Sequence, residues 1–210
     1  LTAYTTYYYV VSAVNSGVQS TDSTQASAKT LMAGTTVVTF TSVAAHDGLV
    51  LESTETSNVG GSFNSTDTTT SALRAGDYTG DLQLKAVVSF DTSSIPDGAT
   101  IVSATLKLKR GTVWGLNPFT ILGTCYVDIK GGTGFGGSTS LANGDFEAAA
   151  DTTQVATMSN APNDGDWSTG GLATGLSFVN KTGHTQFRTY FSLDDNENGT
   201  VDFMGWYSGD

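Results

Sequence analysis

Cysteine is nearly absent from this 210-residue chain: Cys125 stands alone, so no disulfide can form within it. With only His46 and His184 beside that thiol, the ligands of a structural zinc site are missing too. Basic residues are also few. Nine Lys and Arg face twenty Asp and Glu, a formal net charge of -11, and such a surface repels a phosphate backbone, which excludes nucleic acid as a partner. Charged residues of both signs reach only 14%, against about 25% in an ordinary soluble domain. No apolar run approaches the roughly 18 residues that span a bilayer as a helix, so no membrane insertion is expected. The opening residues carry no basic stretch followed by an apolar one, so any export signal is expected upstream or already removed. There are three prolines but 25 glycines, so turns fall to Gly, Asn and Asp, which tolerate positive φ.

Catalytic vocabulary is thin as well. No Gly-x-Ser-x-Gly elbow places a nucleophile. The glycine-rich stretch 131–137 lacks the Lys-Ser/Thr and the βαβ frame of a phosphate loop, and reads as a flexible loop. Glycoside hydrolysis needs two carboxylates at a set separation, and Glu52, Glu55, Glu147 and Glu197 offer no pair that spacing singles out. Cys125 alternates with Tyr126 in a β-prone run, which makes it a buried inert thiol. His184, in Thr182-Gly183-His184-Thr185, reads as a surface turn residue. A protein that is not an enzyme is expected.

What is abundant is β-forming. Ser and Thr make up about a quarter of the chain, and short β-prone runs recur at 36–41, 49–52, 82–90, 101–109 and 119–129 between Gly/Asn/Ser/Asp turns. Val102, Ala104, Leu106 and Leu108 alternate with Ser103, Thr105, Lys107 and Lys109, the period of a strand with one buried face. Residues 140–150 can hold a short helix with Asp145 as N-cap; a long Asn/Asp/Gly loop follows through Trp167, and 186–191 is again a strand. Before all of these, residues 1–30 read as one hairpin turning at Asn15-Ser16-Gly17. Two strands cannot bury a core of their own, so this hairpin must lean on something else. Residues 31–34 read as a junction.

Tyr7, Tyr9, Val11, Ala13, Asn15 and Gly17 fill the places of the penultimate strand and turn of a fibronectin type III domain, and the first 30 or so residues resemble the last two strands of that fold. Further on, the run Leu84-Lys85-Ala86-Val87-Val88-Ser89-Phe90-Asp91 with Ile95-Pro96-Asp97-Gly98 and Ser103-Ala104-Thr105-Leu106 resembles the core motif of DNRLRE-type domains, jelly-roll modules related to carbohydrate-binding modules. The stretch from Leu51-Glu52-Ser53 to Gly61, Asn117-Pro118-Phe119-Thr120, Val127-Asp128-Ile129-Lys130, Asp145-Phe146 and Gly183-His184-Thr185-Gln186-Phe187-Arg188 are similar to a bacterial subgroup found at the C-terminal end of multidomain secreted proteins, often after fibronectin type III repeats. The resemblance implies an all-β, jelly-roll-like β-sandwich over 34–210, preceded by fibronectin-like strands over 1–33. Members of the subgroup continue past Tyr207-Ser208-Gly209 into an Arg-Pro strand that this chain lacks, so a missing final strand is expected. The implied location is extracellular or at the cell surface.

The sharpest local signal is Asp194-Asp195-Asn196-Glu197-Asn198-Gly199-Thr200-Val201-Asp202. Side-chain oxygens at Asp194, Asn196 and Asn198, the carbonyl of Thr200 and the carboxylate of Asp202 can wrap a Ca²⁺, which takes six to eight such ligands. No bidentate Glu completes an EF-hand, since Gly205 stands there, and no helices flank the loop. The other reading is an acidic hairpin turn between strands. Asp77 and Asp81 form a second acidic group, either lining another cation or a polar ligand, or simply a solvated loop. Among the aromatics, Trp114 and Trp167 lie in loop-like stretches and are candidates for stacking on a sugar ring; Trp206 reads as core.

Two functional classes remain open. One is a calcium-stabilised adhesion module that binds a polysaccharide or cell-surface glycan within a larger secreted bacterial protein. The other is a structural subunit of an extracellular filament or sheath, which pairs with copies of itself through open strand edges.

Overall fold

The computed structural model describes residues 1–30 and 33–209, in two units, Leu1–Thr39 and Phe40–Asp210. The junction expected at 31–34 lies partly outside the described residues.

The first unit is an antiparallel hairpin. Its strands are β1 (Thr6–Tyr9), β2 (Val14–Asn15), β3 (Val18–Gln19) and β4 (Ala26–Lys29). Strands β1 and β4 pair from Thr6 opposite Lys29 to Tyr9 opposite Ala26, while β2 pairs with β3. Between the two pairs, Ser23 N–H donates to Val11 O and Ser20 N–H to Ala13 O, both at 2.8 Å, and carries the ladder through. The turn works because Ser16 and Gly17 both take positive φ, at 50° and 81°, the type I′ geometry whose twist matches that of the flanking strands. None of this unit's described residues is buried. The strand expected at 36–41 is absent: Val37 and Val38 are exposed and have no ladder to join, and β propensity without a partner edge does not make a strand.

The second unit is an all-β sandwich. Its strands are β5 (Gly48–Glu52), β6 (Gly60–Asn64), β7 (Leu73–Tyr78), β8 (Leu82–Asp91), β9 (Thr105–Trp114), β10 (Cys125–Lys130), β11 (Thr152–Thr157), β12 (Trp167–Gly171), β13 (His184–Phe191) and β14 (Asp202–Trp206). They form one antiparallel sheet that folds back on itself. The order β6-β5-β8-β13-β10-β11 makes one layer and β7-β14-β9-β12 the other, joined where β7 pairs with the first residues of β8. At the far edge β11 and β12 approach each other: Ser159 N–H donates to Thr169 O at 2.9 Å and Ala173 N–H to Val155 O at 2.8 Å. The sheet is therefore almost closed, which leaves few exposed edge groups.

Alternation along each strand fills the space between the layers. Ala86, Val88, Val127, Ile129, Phe187 and Phe191 from one layer meet Leu73, Leu106, Leu108, Met204 and Trp206 from the other. Trp206 is wholly buried, and its indole N–H donates to the Ser168 hydroxyl at 3.1 Å, so its polar edge enters the core satisfied. Cys125 belongs to this core, and burial pushes its thiol pKa up. The outer face of the first layer is covered by residues 131–151, whose Phe135, Leu141 and Phe146 pack on Val50 and Val87. Beneath this cover Arg188 of β13 pairs with its cross-strand neighbour Asp128 at 2.8 Å. It also donates to the carbonyls of Asp145, Phe146 and Ala148.

The local reading departs from this in places. The alternating strand starts at Thr105 rather than 101 and runs on to Trp114. One α-turn, Pro118–Ile121, precedes β10 where a continuous strand is expected, because Asn117 caps it by accepting from Phe119 N–H. The helix expected at 140–150 is a single 3₁₀ turn, Asn143–Asp145, in which Asp145 follows the cap and accepts from Ala142 N–H at 2.8 Å. The long loop up to Trp167 contains β11.

Candidate functional site

The β7–β8 hairpin and the acidic loop before β14 come together through sheet pairing. Antiparallel register sets Asp202, the first residue of β14, directly opposite Asp77 of β7. At the hairpin tip Asp81 accepts from Gly199 N–H at 2.8 Å, tying the turn to the loop. The two acidic groups that read as separate in the sequence are thus one cluster.

Its oxygens are unequally satisfied. Asp202 is 1% exposed. Its Oδ2 accepts from the side-chain amides of Asn196 at 2.8 Å and Asn198 at 3.2 Å, and its Oδ1 accepts from Leu116 N–H at 2.5 Å. Asp77 is 0% exposed and neither of its carboxylate oxygens has a hydrogen-bond partner; Asn196 Oδ1 is buried and unpartnered as well. A buried carboxylate left this way carries its full desolvation cost. Burial above all, then the charges of Asp81 and Asp195, pushes the Asp77 pKa up to about 7; the nearby Asn196 backbone N–H pulls the other way without reaching hydrogen-bond geometry, and Asp202 adds to the rise. Asp195 is raised too, by burial and then by Asp194 and Asp81. Glu197 is raised, chiefly by Asp195. None of the four ion pairs among the described residues reaches this cluster.

Of the ligands read from the sequence, Asn196, Asn198 and Asp202 are drawn together by hydrogen bonds. Thr200 lies beside them, its N–H and hydroxyl donating to Asn198 Oδ1 at 2.7 and 2.6 Å. Asp194 is exposed, and its neighbour Asp195 is the acid whose charge reaches Asp77. Asp77 is a buried strand residue rather than part of a solvated loop, and it is the group that sequence spacing could not assign to this site. The signal was present as the acid pair flanking Tyr78-Thr79-Gly80, but only the β7–β14 register links it to the loop. Among the described residues no three His, Cys, Asp or Glu side chains already converge on one point. The acids that act on the unsatisfied Asp77 are Asp81, Asp195 and Asp202, and the amides of Asn196 and Asn198 are bonded to Asp202 beside it. The oxygens of all of them are hard, which suits Ca²⁺ rather than a transition metal.

Trp114 and Trp167 are strand ends rather than loop residues, the last of β9 and the first of β12, and are 56% and 51% exposed. Trp167 faces Lys109 across the ladder, five positions before Trp114, so the two residues stand roughly 16 Å apart along the strand at about 3.3 Å per residue and make no common platform for one sugar ring. The Lys107 ammonium lies 5.0 Å over the Trp167 ring. Trp114 tilts against Phe203 with centroids 6.2 Å apart, next to Asp202. A shallow depression of about 700 Å³ lies elsewhere, bounded by Lys130, Asp151, Phe178 and Lys181, and neither tryptophan lines it.

The two histidines, unremarked as a pair in the sequence, stand edge to face with centroids 5.1 Å apart. His184 opens β13 and is half-buried, not a free turn residue. Its Nδ1 lies 3.4 Å from the Ser89 hydroxyl, but Ser89 is fully buried and out of reach of a substrate. The sequence matches no protein-family model and no curated protein.

Proposed function

We propose that this chain is a non-catalytic extracellular surface module, part of a larger secreted bacterial protein, whose sandwich is stabilised by Ca²⁺ and which binds a polysaccharide or cell-surface glycan through exposed aromatics. The observation that carries the calcium reading is Asp77: wholly buried, with both oxygens unpartnered, among Asp81, Asp195, Asn196, Asn198 and Asp202. A divalent cation supplies the missing partner and offsets the mutual repulsion of the carboxylates. Glycan binding is supported by Trp114 and Trp167, large rings held half in solvent at the ends of rigid strands, where an apolar sugar face can stack. The similarity of residues 84–106 to DNRLRE-type modules agrees with both parts.

The experiment is calorimetry and thermal unfolding in CaCl₂ and in chelator, followed by a polysaccharide array with wild type, W114A and W167A. Calcium binding with a rise in Tm of several degrees, and array signals lost in one or both variants, are the expected results. A Tm that is the same in calcium and chelator sinks the metal reading. Signals indifferent to both tryptophans sink the glycan reading.

The hairpin favours a second reading, a self-assembling filament or sheath subunit. Tyr8, Val10, Val11, Val14 and Val18 are all exposed along it, and a two-strand ribbon gains little stability by itself. Pairing with another copy would cover these side chains. Sedimentation and negative-stain microscopy in calcium separate the two readings: fibres support assembly, and a monomer at high concentration removes it.

A further inference from the structure

Asp202 is the joint between the acidic cluster and one of the two exposed tryptophans. Its Oδ1 accepts from Leu116 N–H at 2.5 Å. Between Leu116 and Trp114 the chain passes through Gly115 at φ +67°, where an added Cβ would lie 2.0 Å from Val201 O and 2.1 Å from Asp202 Oδ1. The backbone of this corner is therefore pressed against the carboxylate itself. On its other side, Trp114 is the cross-strand partner of Phe203, the residue after Asp202, and the two rings are in contact range. Trp114 and Leu116 both stand out to solvent, as does Tyr78 beside Asp77. An apolar edge thus runs along the rim of the acidic cluster.

Asp202 is held at both oxygens: Oδ2 is shared by two amides, and Oδ1 accepts from the corner and keeps one lone pair for a cation. A cation next to Asp77 that draws on Asp202 pulls against the amides of Asn196 and Asn198 and against the corner, which are all bonded to the same carboxylate. The corner is the stiffer neighbour, because Gly115 leaves it no free space. Trp167 has no such link. It opens β12 opposite Lys109 of β9, and the Lys107 ammonium lies 5.0 Å over its ring.

We propose that calcium at the Asp77–Asp202 cluster sets the position of the 114–116 corner, so that Trp114 is the calcium-dependent aromatic contact for a sugar ring and Trp167 is calcium-independent. The proposal rests on the calcium reading above. By linkage, a ligand stacked on Trp114 tightens calcium by the same factor as calcium tightens the ligand.

The test uses CaCl₂ alone as the probe, with the full chain as W167F and as W114F. Both variants keep the buried Trp206, so the first reports Trp114 and the second Trp167. Calorimetry should show calcium binding to both. The emission and acrylamide quenching of W167F should shift and saturate with the calorimetric isotherm, while those of W114F stay flat. Calcium heat with no change in W167F, or with an equal change in W114F, overturns the coupling and leaves the calcium reading standing. No calcium heat in either variant overturns both.

Discussion

Asp77 of β7 and Asp202 of β14 are direct cross-strand partners, and both are buried. Like charges opposite each other destabilise a sheet. Asp202 is relieved by two side-chain amides and a backbone N–H; Asp77 has no hydrogen-bond partner. The pairing costs stability as long as both carboxylates are ionised and no cation lies between them.

The two forms of the protein should therefore respond to D77N in opposite directions. In chelator the neutral amide removes the buried charge and its repulsion by Asp81, Asp195 and Asp202, and should raise stability even though the amide itself stays unpartnered. In calcium the same change removes a ligand and should lower stability. Urea unfolding of wild type and variant in each condition reads both signs. A loss of equal size in calcium and in chelator would make Asp77 a packing residue only.

The pH dependence carries the same signature. A carboxyl whose pKa is raised in the folded state holds its proton more tightly there than in the unfolded chain. Its contribution is therefore fully present below the ordinary Asp value of 3.8 and is lost as pH rises through about 7 for Asp77. In chelator, Tm should fall as pH is raised from 5.5 to 8. In calcium, which keeps Asp77 ionised, that part of the slope should vanish. Asp145, pushed up to about 6 mainly by burial, adds a slope of the same sign that calcium leaves in place. His46, held low by burial and then by His184, works in the opposite sense and is equally indifferent to calcium. Only the difference between the two curves reports the acidic cluster, Asp77 together with the raised Asp195 and Glu197, and parallel curves would contradict its role.

Much of this architecture is visible in local pattern. The alternation through Leu106 and Leu108 shows a half-buried strand, and Asn15-Ser16-Gly17 gives the hairpin turn. The spacing of Asn196, Asn198 and Asp202 gives half of the acidic cluster. Strands β11 and β12 are less visible because they are edge strands, rich in Thr and Gly and with outward faces in water, so their composition is that of a loop. The other half of the cluster is hidden for a different reason. Asp77 and Asp202 meet only because β7 pairs with β14, and a pairing between segments so far apart in the chain leaves no periodic trace in either one.

Arg188 fixes the cover over the first layer, and its loss should be severe. The guanidinium pairs with Asp128, binds three carbonyls of the covering segment and lies 4.6 Å from the Phe135 ring. R188M leaves Asp128 buried without its counter-charge, although Tyr190 and the Gln154 N–H still donate to it. Breaking one partner of a buried pair costs about 3–5 kcal/mol, whereas replacing both with apolar groups recovers much of that loss. Urea unfolding should show R188M far below wild type and R188M/D128L between the two. A double variant no better than the single would mean that the three carbonyls, not the ion pair, dominate.

Gly115 offers a way to disturb the proposed cation site without replacing any of its proposed ligands. An alanine there is disfavoured twice: by the positive φ of 67°, and by a Cβ placed against Val201 O and Asp202 Oδ1. Backbone strain alone costs about 1 kcal/mol or more and lowers stability equally in calcium and chelator. Displacement of Asp202 adds a second loss that appears only when calcium is bound. G115A should therefore weaken calcium by roughly tenfold, on the basis that each 1.4 kcal/mol is one decade, and should narrow the gap between the two Tm values. G98A is the control, since its Cβ meets nothing and its φ is not positive. If G115A lowers both Tm values by the same amount and leaves calcium affinity intact, then the corner and the carboxylate move independently, and the contact between Leu116 and Asp202 is structural only.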